Sequence, residues 1–117
     1  MGRVVLVIVG AMLAAGCLSS DPPSGSPEAL RRAQSMVPAD TRLAGLYAQS
    51  CKQCHTLADS GAPLTGDRTA WTPRWAKGVP TLLQSTVNGL GGMPAGGQCF
   101  GCSAADYEAL IHFMADR

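Results

Sequence analysis

Along this 117-residue chain the apolar residues first form one unbroken run and only later settle into helical spacing. Val4-Val5-Leu6-Val7-Ile8-Val9 opens a stretch that reaches Ala15, too short for the ~20 residues that span a bilayer. With Arg3 as a minimal charged lead, residues 1–16 read as a signal peptide rather than a membrane helix. The pattern then empties. Leu18-Ser19-Ser20-Asp21-Pro22-Pro23-Ser24-Gly25-Ser26-Pro27 has almost nothing to bury, and it reads as a flexible tether within a 17–39 segment ahead of the folded unit. As coil this stretch would reach about 18 Å.

Ser26-Pro27-Glu28 can start a short helix, with Ser26 capping and Pro27 at the first position. Ala29, Leu30, Ala33 and Val37 share one face and Arg31 and Arg32 the other, a thin stripe that predicts a weak or loosely docked helix. Asp40 or Thr41 starts the next, with Leu43, Leu46 and Tyr47 at helical spacing and Gly45 placed to let another helix cross closely. Thr72-Pro73 predicts the cap and first position of a short helix that Gly78 closes. Pro80 opens another through Leu82, Leu83 and Val87, ending at Asn88-Gly89. Ser103-Ala104-Ala105-Asp106 resembles a capping box with Asp for the usual Glu, and the helix it leads is striped by Tyr107, Leu110, Ile111 and Met114. No strand-like alternation appears, so the predicted fold is all-α. The folded unit spans 40–117, and so short a chain buries only a thin core by itself. A bound group or a cross-link has to complete it.

Cys51-Lys52-Gln53-Cys54-His55 supplies that group. Two cysteines two residues apart, with a histidine straight after the second, form the attachment signature of a c-type haem. The thiols add across the haem vinyl groups as thioethers, and the spacer sets them apart on one turn of backbone. His55 then stands under the ring as an iron ligand. Zinc lacks partners here: the other histidine is His112, and the second thiol pair, Cys99 and Cys102, lies far along the chain.

The opposite haem face needs a methionine or a histidine to close it. Met36 precedes the folded unit, and Met114 lies in an apolar stripe where methionine more often fills core. His112 falls off that stripe and reads as a rim residue. Met93 sits in the glycine-rich loop Leu90-Gly91-Gly92-Met93-Pro94-Ala95-Gly96-Gly97, which can carry a side chain across the haem while Pro94 stiffens its exit. His55 and Met93 are therefore the expected iron ligands.

Of five cysteines, Cys17 is left over. Leu13-Ala14-Ala15-Gly16-Cys17 resembles a bacterial lipobox, which implies acyl chains on Cys17 and a stable membrane anchor. Covalent haem and thiol pairs suit an oxidising, extracytoplasmic space, so the expected location is the periplasmic side of a bacterial membrane, or the soluble periplasm without the lipid. Losing residues 1–16 removes Arg3 and leaves equal numbers of acidic and basic residues, which gives no basic footprint for nucleic acid. For Cys99 and Cys102 a structural disulfide suits this compartment. A catalytic dithiol would want a βα context, and a free or metal-bound pair would not persist there.

Residues 40–117 resemble the class I c-type cytochromes, and specifically the cytochrome c5 family. The resemblance is carried by Cys51 to His55, Gly61-Ala62-Pro63, Gly66-Asp67, Trp71 with Pro73-Arg74, Gly89, Met93-Pro94, and the Cys99/Cys102 pair before the last helix. It implies a small all-α fold wrapped around one covalently attached haem c. It also implies that the Pro63 carbonyl accepts the second ring N–H of His55, and that Trp71 and Arg74 lie on the propionate side of the pocket. The expected function is a membrane-tethered, single-electron carrier serving redox partner proteins, with no bond chemistry of its own. A ligand-binding haem sensor or enzyme with a displaceable Met93, or an electron-entry subunit of a larger oxidoreductase, are the alternatives.

Overall fold

The computed structural model describes residues 20–117; the stretch expected to be a signal peptide and Cys17 lie outside these residues. Six α-helices follow in order: α1 (Pro27–Ser35), α2 (Thr41–Gln49), α3 (Lys52–His55), α4 (Arg68–Trp75), α5 (Val79–Asn88) and α6 (Ala104–Ala115), with a 3₁₀ turn over Ala95–Gln98 before the last. Among the described residues there is no strand, and Leu90 and Met93 form an isolated bridge. The fold is all-α, as expected.

The main core gathers Tyr47, Cys51, Trp71, Leu110, Met114 and Ala115, with Leu43, Leu46, Trp75 and Phe113 packed around it. It joins α2 to α6, the two helices whose starts are most firmly fixed. Asp40 caps α2 by accepting from the Leu43 N–H at 2.8 Å, and Ser103 with Asp106 forms a complete capping box on α6. Asp106 also receives Arg42 of α2 through two bonds of 2.6 and 2.8 Å, a bidentate geometry that fixes the approach of the helices. The Arg42 guanidinium, helped by the Ser103 donors, holds the Asp106 carboxyl well below the usual carboxylate range. Tyr47 meets Phe113 edge to face at 5.0 Å, and its hydroxyl shares a 2.9 Å bond with Thr65.

Three expectations are corrected. Thr72-Pro73 does not start α4: Asp67 does, accepting from the Ala70 N–H at 3.0 Å, because Asp67 is itself anchored by Ser24 and Gly25. Pro73 is carried inside the helix on its exposed side, where its missing N–H leaves one helical bond unmade, and α4 ends two residues later. Gly45 accommodates no close helix crossing, since a Cβ built there meets nothing within 4 Å. Finally, α1 is neither loose nor part of a flexible tether. Ser26 caps it, and Ala29 (1 % exposed) and Ala33 (0 %) bury themselves against Leu64.

Candidate functional site

The Cys51–His55 motif folds as one turn because the Cys51 carbonyl accepts from both Cys54 N–H (3.2 Å) and His55 N–H (3.0 Å). That turn delivers both thiols and the imidazole to the same open cleft of about 770 Å³. Its lining combines Cys51, Cys54, His55, Pro63, Trp71 and Arg74 with Leu82 and Thr86 of α5, Met93 of the methionine loop, and Ile111 and Met114 of α6. A smaller hollow of about 250 Å³ beside Phe100 and Gln98 holds none of these groups.

Each sequence-predicted residue can be placed. His55 is buried, and its Nδ1 lies 2.7 Å from the Pro63 carbonyl. A carbonyl can only accept, so Nδ1 carries the proton and Nε2 keeps its lone pair. Burial, joined by the charge of Arg74, lowers the His55 pKa against the opposing pull of the Pro63 carbonyl. The ring is therefore neutral at physiological pH, the form that binds a metal. Trp71 stacks on it with centroids 5.8 Å apart and planes at 24°. The indole N–H donates to the Leu64 carbonyl at 2.9 Å, so it is not free for a propionate. Trp71 backs the histidine instead. Arg74 lines the cleft and spends one N–H on the Ala70 carbonyl at 2.6 Å, leaving the rest of its guanidinium for an anion.

Met93 enters on a tight turn, closed by Leu90 N–H to the Met93 carbonyl (3.0 Å) and the reverse bond (2.9 Å). Glycines make the turn possible. A Cβ on Gly89 would press the Met93 carbonyl oxygen at 2.9 Å, and one on Gly97 would meet the Met93 methyl at 3.1 Å. Beyond the turn, Cys99 and Cys102 are joined as a disulfide, and the Tyr107 hydroxyl donates to the Cys99 carbonyl at 3.0 Å. The loop is thus fastened to α6 at its exit. By contrast, Cys51 and Cys54 enter no disulfide.

Some contributors carry no signature of their own in the sequence. Gly97 and Tyr107 shape the methionine loop, Thr65 ties the segment after the motif to Tyr47, and α1 braces Leu64. Of the other ligand candidates, Met114 also lines the cleft, while His112 and Met36 do not. Met114 is buried at 3 % in the core, and His112 packs edge-on against Trp75 at 4.9 Å. Met36 covers Gly66.

The residues present fit a covalently held haem. Two cysteines outside any disulfide and a neutral imidazole line an apolar cleft together with a thioether and a guanidinium. An all-α shell of this size around that cleft is the class I c-type cytochrome. Comparison with known proteins gives the same family, to which the chain belongs. Residues 38–114 match the family model described as cytochrome c oxidase, cbb3-type, subunit III. Cytochrome c5 of Azotobacter vinelandii is 39% identical over 72 residues, covering 60% of this chain and 87% of that protein. Cytochrome c-555 of Chlorobaculum tepidum is 44% identical over 55 residues, covering 44% of this chain and 51% of the relative. The chain spans about half the length of this last relative. A solved cytochrome c in an electron transfer complex with nitrite reductase superposes with a TM-score of 0.58 at 33% identity, covering 68% of this chain and 96% of that one. As a member of this family the protein carries one covalently attached haem c.

Proposed function

We propose that the protein is a membrane-tethered, periplasmic single-electron carrier whose haem iron is held between His55 and Met93. The observation that carries this reading is that a neutral imidazole, a thioether and both motif thiols line one and the same cleft. When bound, the haem supplies a one-electron iron couple, and methionine ligation sets it higher than a second histidine would.

The chain's own residues do the positioning. Pro63 holds the proton on Nδ1 of His55, which orients the ring and raises its basicity toward a metal. Leu82, Ile111 and Met114 keep the cleft apolar, and the glycine turn and its disulfide-fastened exit present Met93. With His55 and Met93 both holding the iron, none of its positions would be left for a substrate, so the work would be to present the cofactor to a redox partner. Leu90, 66 % exposed on the rim of the cleft, suits an apolar contact with such a partner. A partner of the nitrite reductase kind fits by similarity to the solved complex. A fixed electron-entry role in a larger oxidoreductase is the second reading, favoured by the oxidase-subunit description of the matching family.

Lipidation at Cys17 supplies the tether in this reading. Because Asp21 already pairs with Arg32 at 3.6 Å, the leash from Cys17 is four residues long, at most ~14 Å when extended. The haem domain then rides close to the membrane surface. Fractionation of the native host tests this. Cys17→Ala should move the haem-bearing chain from the membrane to the soluble periplasm, with the same reversible one-electron couple in both forms. A wild-type chain recovered soluble and unmodified would contradict the anchor. Stoichiometric co-purification with a larger enzyme would favour the entry-subunit reading.

A further inference from the structure

Residues 21–36 lie outside the 38–114 span of the family match, yet they are bonded to the wall of the cleft behind His55. Ala29 and Ala33 pack on Leu64, which is 4 % exposed. The Ser24 hydroxyl donates to Asp67 Oδ2 at 2.7 Å, and the Gly25 N–H donates to the same oxygen at 3.1 Å. Met36 closes over Gly66, where any side chain would run into its sulfur. Arg32 reaches Asp116 at the end of α6 at 2.6 Å, and Arg68 of α4 reaches the same oxygen at 2.8 Å.

The contacts of Ser24, Gly25, Ala29, Ala33 and Met36 fall on a single stretch, 64–67, and it continues from Pro63, which touches the histidine. Pro63 supplies the carbonyl at 2.7 Å from Nδ1. Leu64 offers its carbonyl to Trp71, whose ring stacks on His55. Thr65 N–H donates to the His55 carbonyl at 2.8 Å. Asp67 caps the helix that carries Trp71. We infer that α1 and the residues ahead of it are a positioning brace for His55: by clamping 63–67 they fix the Pro63 carbonyl and the Trp71 ring against the imidazole. The brace tunes the donor strength of the proximal ligand, and the inference rests on the reading of His55 as that ligand.

The physical reason is stiffness. A carbonyl on an unbraced loop keeps its bond to Nδ1–H only part of the time, and partner bonds of this kind set ligand orientation and basicity. Among the described residues the hydrophobic cluster that buries Leu64 is made of α1 side chains, Ala29, Leu30 and Ala33.

Ala33→Asp in the full chain tests the inference, since a carboxylate cannot stay at a fully buried apolar position without a partner. Released α1 should be cut rapidly by trypsin after Arg31 and Arg32. The haem should stay attached and the sulfur–iron band of the ferric protein should persist. Exchange of the His55 Nδ1–H proton with solvent, followed by NMR, should speed up roughly tenfold or more as local opening becomes frequent. The reduction potential should rise, because a less basic imidazole stabilises ferric iron less. Arg42→Ala, which removes the bidentate bond to Asp106 and no bond to 63–67, should leave exchange and potential unchanged. A variant with α1 released but with exchange and potential as in the wild type would overturn the brace. So would an α1 still protected from trypsin, since the burial against Leu64 would then be wrong. Absence of the sulfur–iron band or of a protected Nδ1–H proton in the wild type would fault the ligand reading instead.

Discussion

Met93→Ala should leave the haem covalently attached and strip the ferric protein of its sulfur–iron charge-transfer band. Cys51 and Cys54 hold the cofactor independently of the loop, so attachment and ligation separate cleanly. The reduction potential should fall by a sizeable fraction of the roughly 0.8 V that axial ligands span across haem proteins, because the thioether is the ligand that favours ferrous iron. The glycines around it make the effect specific. Gly97 leaves room for the Met93 methyl and Gly89 for its carbonyl, so the alanine variant loses the sulfur without disturbing the turn. Met114→Ala provides the contrast. Its side chain is buried at 3 % in the core, so the cost should be about 2–5 kcal/mol of stability with ligation intact. Combined optical spectra and potentiometry of the two variants check both statements. An unchanged ferric spectrum in Met93→Ala would pass the ligand role to another residue.

Replacing Cys51 and Cys54 together with serine should cost the fold itself. A folded unit of about 80 residues has about 4–12 kcal/mol of stability to lose, at the usual 0.05–0.15 kcal/mol per residue. The cleft of about 770 Å³ is walled by Trp71, Leu82, Ile111, Met114 and the Met93 loop. Covering even ~300 Å² of such wall is worth ~7 kcal/mol at about 25 cal/mol per Å². Loss of the covalent group removes most of the margin. The double variant should show reduced far-ultraviolet helical signal and no cooperative thermal transition, and the reading fails if it melts as sharply as the haem-loaded protein.

What could be read from the sequence was what is local. The motif turn, the caps at Asp40 and Ser103, Pro80 at the start of α5 and Gly89 at its end are each decided within about four residues, the range over which caps and helix spacing act. The methionine loop was legible because glycine, methionine and proline have few other reasons to be grouped so. What escaped was long-range. Ala29 and Ala33 make a poor stripe by hydrophobicity, and their burial becomes visible only once Leu64 is placed against them. Asp67 and Thr72 are both good helix starters, and the choice was made by Ser24 and Gly25, more than 40 residues away. The indole N–H of Trp71 looked available for the cofactor because nothing in the sequence reveals its bond to the Leu64 carbonyl.

The functional reading stands or falls on whether Met93 stays on the iron. The turn bonds between Leu90 and Met93, the Cys99–Cys102 bridge and the Tyr107 bond to Cys99 leave few soft motions that could withdraw it. Carbon monoxide binding to the reduced wild-type protein at neutral pH measures this directly. A single-electron carrier should bind the gas slowly or not at all while exchanging electrons readily with small redox dyes. Rapid, stoichiometric binding would mean an accessible sixth position, and a ligand-binding haem sensor or enzyme would then replace the carrier.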